Sequence, residues 1–82
     1  MTPDNFNAIL TRLQERRPFR IFTIELYGLQ RFEIDSLYSF VHREGVGVFV
    51  APGGIPVWFD HESVNQIFEA PADTDFVSKE SA

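Results

Sequence analysis

Phe6, Ile9, Leu10 and Leu13 recur at the i, i+3, i+4, i+7 spacing that gathers side chains on one face of an α-helix. Thr2 supplies a start, because its hydroxyl can accept a bond from an amide of the first turn. Pro3 then fits the first helical position, where its missing N–H has no partner to lose. Pro18 supplies the stop, since its ring disfavours helical geometry at Arg17. Arg16 and Arg17 also suit the negative end of the helix dipole. The pattern predicts an N-terminal helix with one apolar side.

From Phe19 the period changes to two. Phe22, Ile24 and Leu26 share one face, while Phe19, Ile21 and Tyr27 occupy the other, interrupted by Thr23 and Glu25. A strand apolar on both faces needs cover on both, and the preceding helix is the cheapest cover for one of them. The other face is expected to look into a barrel. In the next strand, Arg31 to Asp35, Phe32 and Ile34 point together and Glu33 is left for solvent. Directly opposed residues in a hairpin share a face, so a two-residue turn at Gly28-Leu29 would set Ile24 beside Glu33. A three-residue loop with a bulge matches Phe32 and Ile34 to the Phe22/Ile24 face instead.

Ser36 to His42 reads as a less regular segment, after which Arg43-Glu44-Gly45 turns the chain. Val46, Val48 and Val50 then alternate with Gly47, Phe49 and Ala51, and Val48 and Val50 are assigned to the interior. Pro52-Gly53-Gly54-Ile55-Pro56 is a breaker-rich loop. Val57-Trp58-Phe59 forms a further strand, "DHESV" a turn, and Asn65 to Glu69 a short final strand. The predicted class is mainly β (α+β): a helix followed by a five-stranded, strongly bent antiparallel sheet or small barrel over residues 1–70. The polar, patternless residues 71–82 are expected to form a disordered tail.

Eighty-two residues with 44% hydrophobic and 23% charged content make one small domain, with a modest buried fraction and a narrow stability margin. The chain has no cysteine, which excludes disulfides and thiolate metal sites as reinforcement and leaves oligomerisation as the common alternative. The first residues lack the basic and apolar pattern of a signal peptide, and no apolar run approaches the roughly 20 residues of a membrane span. A cytoplasmic location without membrane attachment is the expectation. The net charge of −5 disfavours nucleic acid as a general partner, because Lys and Arg supply most non-specific affinity for phosphate.

Three features carry candidate chemistry. Arg12, Arg16, Arg17 and Arg20 could form an anion or nucleic-acid patch near the helix end, with His61 as an outlying member. A solvated helix face that complements the dipole explains the same arginines. Asp60-His61-Glu62 offers two carboxylates and an imidazole, but consecutive residues at a strand end diverge. Asp60 is read as the cap of the following turn and the other two as solvated. "APGGIP" lacks the P-loop pattern and reads as a hairpin loop. No catalytic, metal or cofactor residues are assigned, and an enzyme is not expected. The unusual property is aromatic excess, nine Phe, two Tyr and one Trp. With Val57, Phe59 and Ile67 inward, Phe49, Trp58 and Phe68 alternate to the exterior, where cover by the helix or loops explains some of them and a candidate oligomer interface the others.

The order of elements, with "RRPFRIFTIEL", "RFEID", "APGGIPVWFDHESV" and "NQIF", resembles short uncharacterised bacterial proteins with an Sm-like (SH3-type small barrel) fold. The resemblance covers about Phe6 to Glu69. It implies a homo-oligomer, ring-like or dimeric, built by association of the edges of the fourth and fifth strands; the expected function is a non-enzymatic, self-associating binding or scaffold module. Sm-like RNA chaperones also carry an aromatic-Lys-His motif at the RNA-binding rim. Phe59 and His61 fall at similar places, but Asp60 stands where the lysine would be, removing its phosphate-seeking charge. Weak binding of RNA or single-stranded nucleic acid is the alternative reading.

Overall fold

The computed structural model describes residues 1–74. Helix α1 spans Pro3–Glu15 and begins as its sequence predicts: Thr2 is the N-cap, and its Oγ1 accepts a bond from Asn5 N at 3.1 Å. Phe6, Leu10 and Leu13 are buried and Ile9 packs beside them. Six strands follow: β1 (Phe22–Leu26), β2 (Arg31–Ile34), β3 (Phe40–Arg43), β4 (Val46–Ala51), β5 (Ile55–Asp60) and β6 (Val64–Phe68). They form two three-stranded antiparallel sheets, ordered β2-β1-β6 and β3-β4-β5.

The expectation of five strands is thus corrected to six strands in two sheets. The missed strand is β3, in part of the segment read as irregular. Its Ser-Leu-Tyr-Ser lead-in hides the alternation, because Ser36 turns the chain there. Ser39 N donates to Ser36 O at 3.1 Å and Ser39 Oγ to the same oxygen at 2.7 Å. That bend lets the chain leave the first sheet after β2 and enter the second as β3.

The β1–β2 hairpin has the register expected from its apolar positions. Phe22 opposes Ile34 and Ile24 opposes Phe32, while Leu26 N donates to Gln30 O at 2.7 Å, leaving a three-residue loop of Tyr27-Gly28-Leu29. Between β3 and β4, Arg43 opposes Val46 across the two-residue turn Glu44-Gly45. Both turn residues have positive φ, +53° and +84°, the twist that joins antiparallel strands tightly.

The core lies between the inner faces of the two sheets and the apolar side of α1. Phe6 meets Phe59 at 5.8 Å between ring centroids, and Phe22 meets Phe40 edge-on at 5.5 Å. The helix therefore packs into the same core as Phe22 and Ile24 rather than covering the opposite face of β1. That opposite face is covered by the chain after β6. Thr23 Oγ1 donates to Ala70 O at 2.7 Å, and Arg31 Nη1 donates to Ala72 O at 2.8 Å and Thr74 O at 3.0 Å. Residues 71–74, assigned from sequence to the tail, are held here against β2; the rest of that tail lies outside the described residues.

The inward and outward sets on β4 are the reverse of the sequence expectation. Phe49 is only 4% exposed and Gly47 is buried, whereas Val46 and Val50 are exposed. Val-Gly-Val-Phe-Val-Ala is apolar at both parities, so alternation alone does not choose a face. Pairing does: Gly47 opposes Phe59, and a Cβ at Gly47 would lie 2.6 Å from Phe59 Cζ. The absent side chain makes room for the buried ring. Replacing Gly47 with Ala is expected to overpack the core and destabilise the fold by about 1–3 kcal/mol. A urea midpoint equal to or above that of the parent would refute this account of β4.

Candidate functional site

The outer faces of the two sheets have opposite characters. On the first sheet the register sets Glu25 between Arg31 of β2 and Gln66 of β6. Glu25 is 3% exposed, and each of its oxygens is engaged. Arg31 Nε donates to Oε2 at 2.8 Å, while Asn65 Nδ2 and Gln66 Nε2 donate to Oε1 at 2.8 and 2.9 Å. The bonds from Arg31, then Gln66 and Asn65, outweigh desolvation and hold the carboxyl below the usual glutamate range. Arg31 also lies over the Phe68 ring at 5.2 Å. This face is polar, internally paired and crossed by residues 70–74. Sequence reading took Glu25 only as an interruption of an apolar face; an arginine six residues later, at the matching hairpin position, was the available signal.

The outer face of the second sheet is apolar and uncovered among the described residues. Val41 opposes Val48, and Val48 opposes Trp58, so these three form one row across β3, β4 and β5. Arg43, Val46 and Asp60 form the next row, and Val50 opposes Pro56 on the far side. Trp58 is 70% exposed and Val41 63%. A concavity of about 440 Å³ lies over this face, lined by Val41, Arg43, Val46, Val48 and Trp58 among others. Exposed apolar groups that are contiguous, unlike scattered single ones, mark association surfaces.

Of the three aromatics assigned to an interface, Trp58 alone belongs to this face. Phe49 is in the core against Phe32, at 6.5 Å between centroids, because β4 has the reverse phase. Phe68 is half-buried on the first sheet beneath Arg31. Val41, Val46, Val48 and Val50 replace them as the neighbours of Trp58. The signal for them was Gly47: a glycine facing a phenylalanine belongs on the crowded side, which sends the flanking valines outward.

The arginines do not converge with His61. Arg16 Nη1 is paired with Glu69 Oε2, and Arg17 Nη1 donates to the Gln14 and Arg16 carbonyls, both at 2.9 Å. The groove beside them, about 770 Å³, includes Arg12 and Arg16 but also Glu15 and Glu69, so its charges offset. His61 lies at the other end of α1, its Nδ1 2.9 Å from Met1 O and its ring against Gly45 and near Pro3. It is held by the N-terminus, whereas solvation was expected. Asp60 does cap the turn: its Oδ1 accepts from Ser63 N at 2.9 Å, and this bond lowers its pKa. Among the described residues no three or more His, Cys, Asp or Glu side chains are placed to hold a metal ion.

His42 sits between β3 and α1, with Nδ1 3.2 Å from Asn7 Oδ1 and its ring stacked on Phe40. Burial lowers its pKa. Its ring faces inward, beneath the Val41 face rather than on it.

No protein family model, curated protein or solved structure matches the chain. Among the described residues no helix is long and apolar enough to cross a membrane. The site is therefore defined by its own geometry: an apolar three-strand face with one cation and one anion along one border.

Glu25 yields a pH dependence of stability. Its folded-state pKa lies below the unfolded value, so its contribution is complete above about pH 4.5 and is lost as pH falls toward the folded value. Glu25→Gln is expected to lower the thermal midpoint at neutral pH, with the gap from the parent closing under acid. A gap that stays constant from neutral to acid pH would contradict the role of the charged form.

Proposed function

We propose that this chain is a non-enzymatic, self-associating binding or scaffold module whose working surface is the outer face of β3-β4-β5. The observation that carries the reading is the row Val41–Val48–Trp58, flanked by Val46, Val50 and Pro56, on a sheet whose opposite face already contributes to the core. Side chains of this kind gain little by facing water, and burying one large apolar side chain contributes about 1.5–3 kcal/mol. A domain of this size without disulfides has few other sources of that stabilisation.

The finer fold assignment belongs to the same proposal. An N-terminal helix, two three-stranded antiparallel sheets and a turn at Ser36 that leads from β2 to β3 support the reading of an Sm-like, SH3-type barrel. In this reading β2 and β3 correspond to the two halves of one strongly bent strand. The second sheet then presents its outer face to a partner, as the apolar row suggests. Arg16 and Arg17 are spent on Glu69 and on main-chain carbonyls, and Arg12 shares its groove with Glu15 and Glu69, so a nucleic-acid role draws no comparable support.

Light scattering over a dilution series tests the reading. The parent is expected to shift from a monomer at low concentration to a larger species at high micromolar concentration. Trp58→Glu should weaken that association at least tenfold, since each 1.4 kcal/mol is a factor of ten. The monomer should remain folded, because Trp58 makes little contact with the core. A parent that stays monomeric at high micromolar concentration would overturn the proposal.

A further inference from the structure

The apolar face is bordered by charges whose placement is complementary to itself. Arg43 and Asp60 occupy the same row, on β3 and β5, separated by Val46 on β4. Two strand spacings, roughly 10 Å, keep them from pairing within one chain. Arg43 has no ion pair among the described residues, and Asp60 uses Oδ1 on Ser63 N. Arg43 therefore stands at the border of an apolar surface without an opposite charge beside it, and Asp60 shares its end of that border with His61 but has no Lys or Arg ion pair among the described residues.

We infer that two copies stack these sheets face to face about a two-fold axis running along β4, so that Arg43 of each meets Asp60 of the other. The inference rests on the reading of the Trp58 face as an association surface and specifies its occupant as a second copy. A rotation about an axis along β4 exchanges the two sides of the sheet while keeping each row at its own height. Val46 then faces Val46 and Val48 faces Val48, while Trp58 of each copy lies on Val41 of the other. The same operation brings Arg43 over the partner's Asp60 twice. An axis across the strands would instead set the charged row over Val50 and Pro56, desolvating two ions against apolar groups. Aligned packing of two sheets, with strand directions within about 30° and faces about 10 Å apart, accommodates this stack. Addition at the free edge of β5 would leave the apolar row bare, and Pro56 removes one main-chain donor from that strand.

The test reverses one charge at a time. Arg43→Glu and Asp60→Lys are each expected to weaken the homodimer tenfold or more in sedimentation equilibrium. An equimolar mixture should recover dimers near parent strength, because both cross pairs are then of opposite charge. Asp60→Lys removes the acceptor for Ser63 N, so Asp60→Asn is measured beside it. That variant keeps the acceptor, and its dimer should be weaker and less sensitive to added salt than the parent's. Recovery in the mixture, or a flattened salt response in Asp60→Asn, supports the stack. A parent dimer dissociated by Trp58→Glu but indifferent to Arg43→Glu and Asp60→Asn would overturn this arrangement and leave the association reading standing. A monomeric parent would overturn both.

Discussion

The contact between Phe59 and the bare backbone of Gly47 determines how the second sheet is oriented. Phe59 enters the core against Phe6 of the helix, and it can do so because Gly47 places no Cβ beneath its ring. Once Gly47 faces inward, strict alternation sends Phe49 inward as well and turns Val46, Val48 and Val50 out. A one-residue change of phase would exchange the two sets and bury a valine ridge where the phenylalanines now pack. The location of the candidate surface is thus a consequence of core packing.

The two outer faces show two solutions to the same requirement. The first sheet satisfies its outer side chains internally: Glu25 is ringed by Arg31, Asn65 and Gln66, and residues 70–74 cross above them. The strap is joined to the sheet through Thr23, Arg31 and Glu33, whose carboxylate accepts from Ala72 N at 3.1 Å. Such a face has little left to offer a partner. The second sheet leaves its outer side chains unsatisfied, and they are apolar, so the gain available on contact is hydrophobic and the border charges supply direction.

The buried Glu25 and the half-buried His42 impose the same sign of pH dependence. Glu25 has a lowered pKa because its charged form is hydrogen-bonded; His42 has a lowered pKa because burial opposes its charged form. In each case the unfolded chain takes up a proton before the folded one does, so stability falls as the medium becomes acid. Asp60, lowered by Ser63 and standing at the border of the apolar face, adds a third group of that sign. Acid thus works on the first-sheet network and on the edge of the candidate surface together.

Local rules legible in the chain account for much of the architecture. Thr2, Pro3 and the Phe6/Leu10/Leu13 spacing determined the helix and its buried side, and the Phe22/Ile24 and Phe32/Ile34 positions determined the first hairpin and its three-residue loop. Trp58 was legible as an exposed aromatic for the same reason: it alternates with Phe59. What alternation leaves open is any segment apolar at both parities, and β4 is such a segment; its phase was decided by a contact with β5, across a loop. Phe49 was misplaced in that way and packs against β2; Phe68 has the expected outward phase, but on the first sheet, where Arg31 covers it. Strand β3 was hidden because its pairing with β4 is specified by the Glu44-Gly45 turn and the bend at Ser36 more than by its own residues. The sequence by itself determined the helix, the first hairpin and an excess of aromatics; only the tertiary structure decided which aromatics are core and which face is bare, because that choice depends on side chains brought together from different strands.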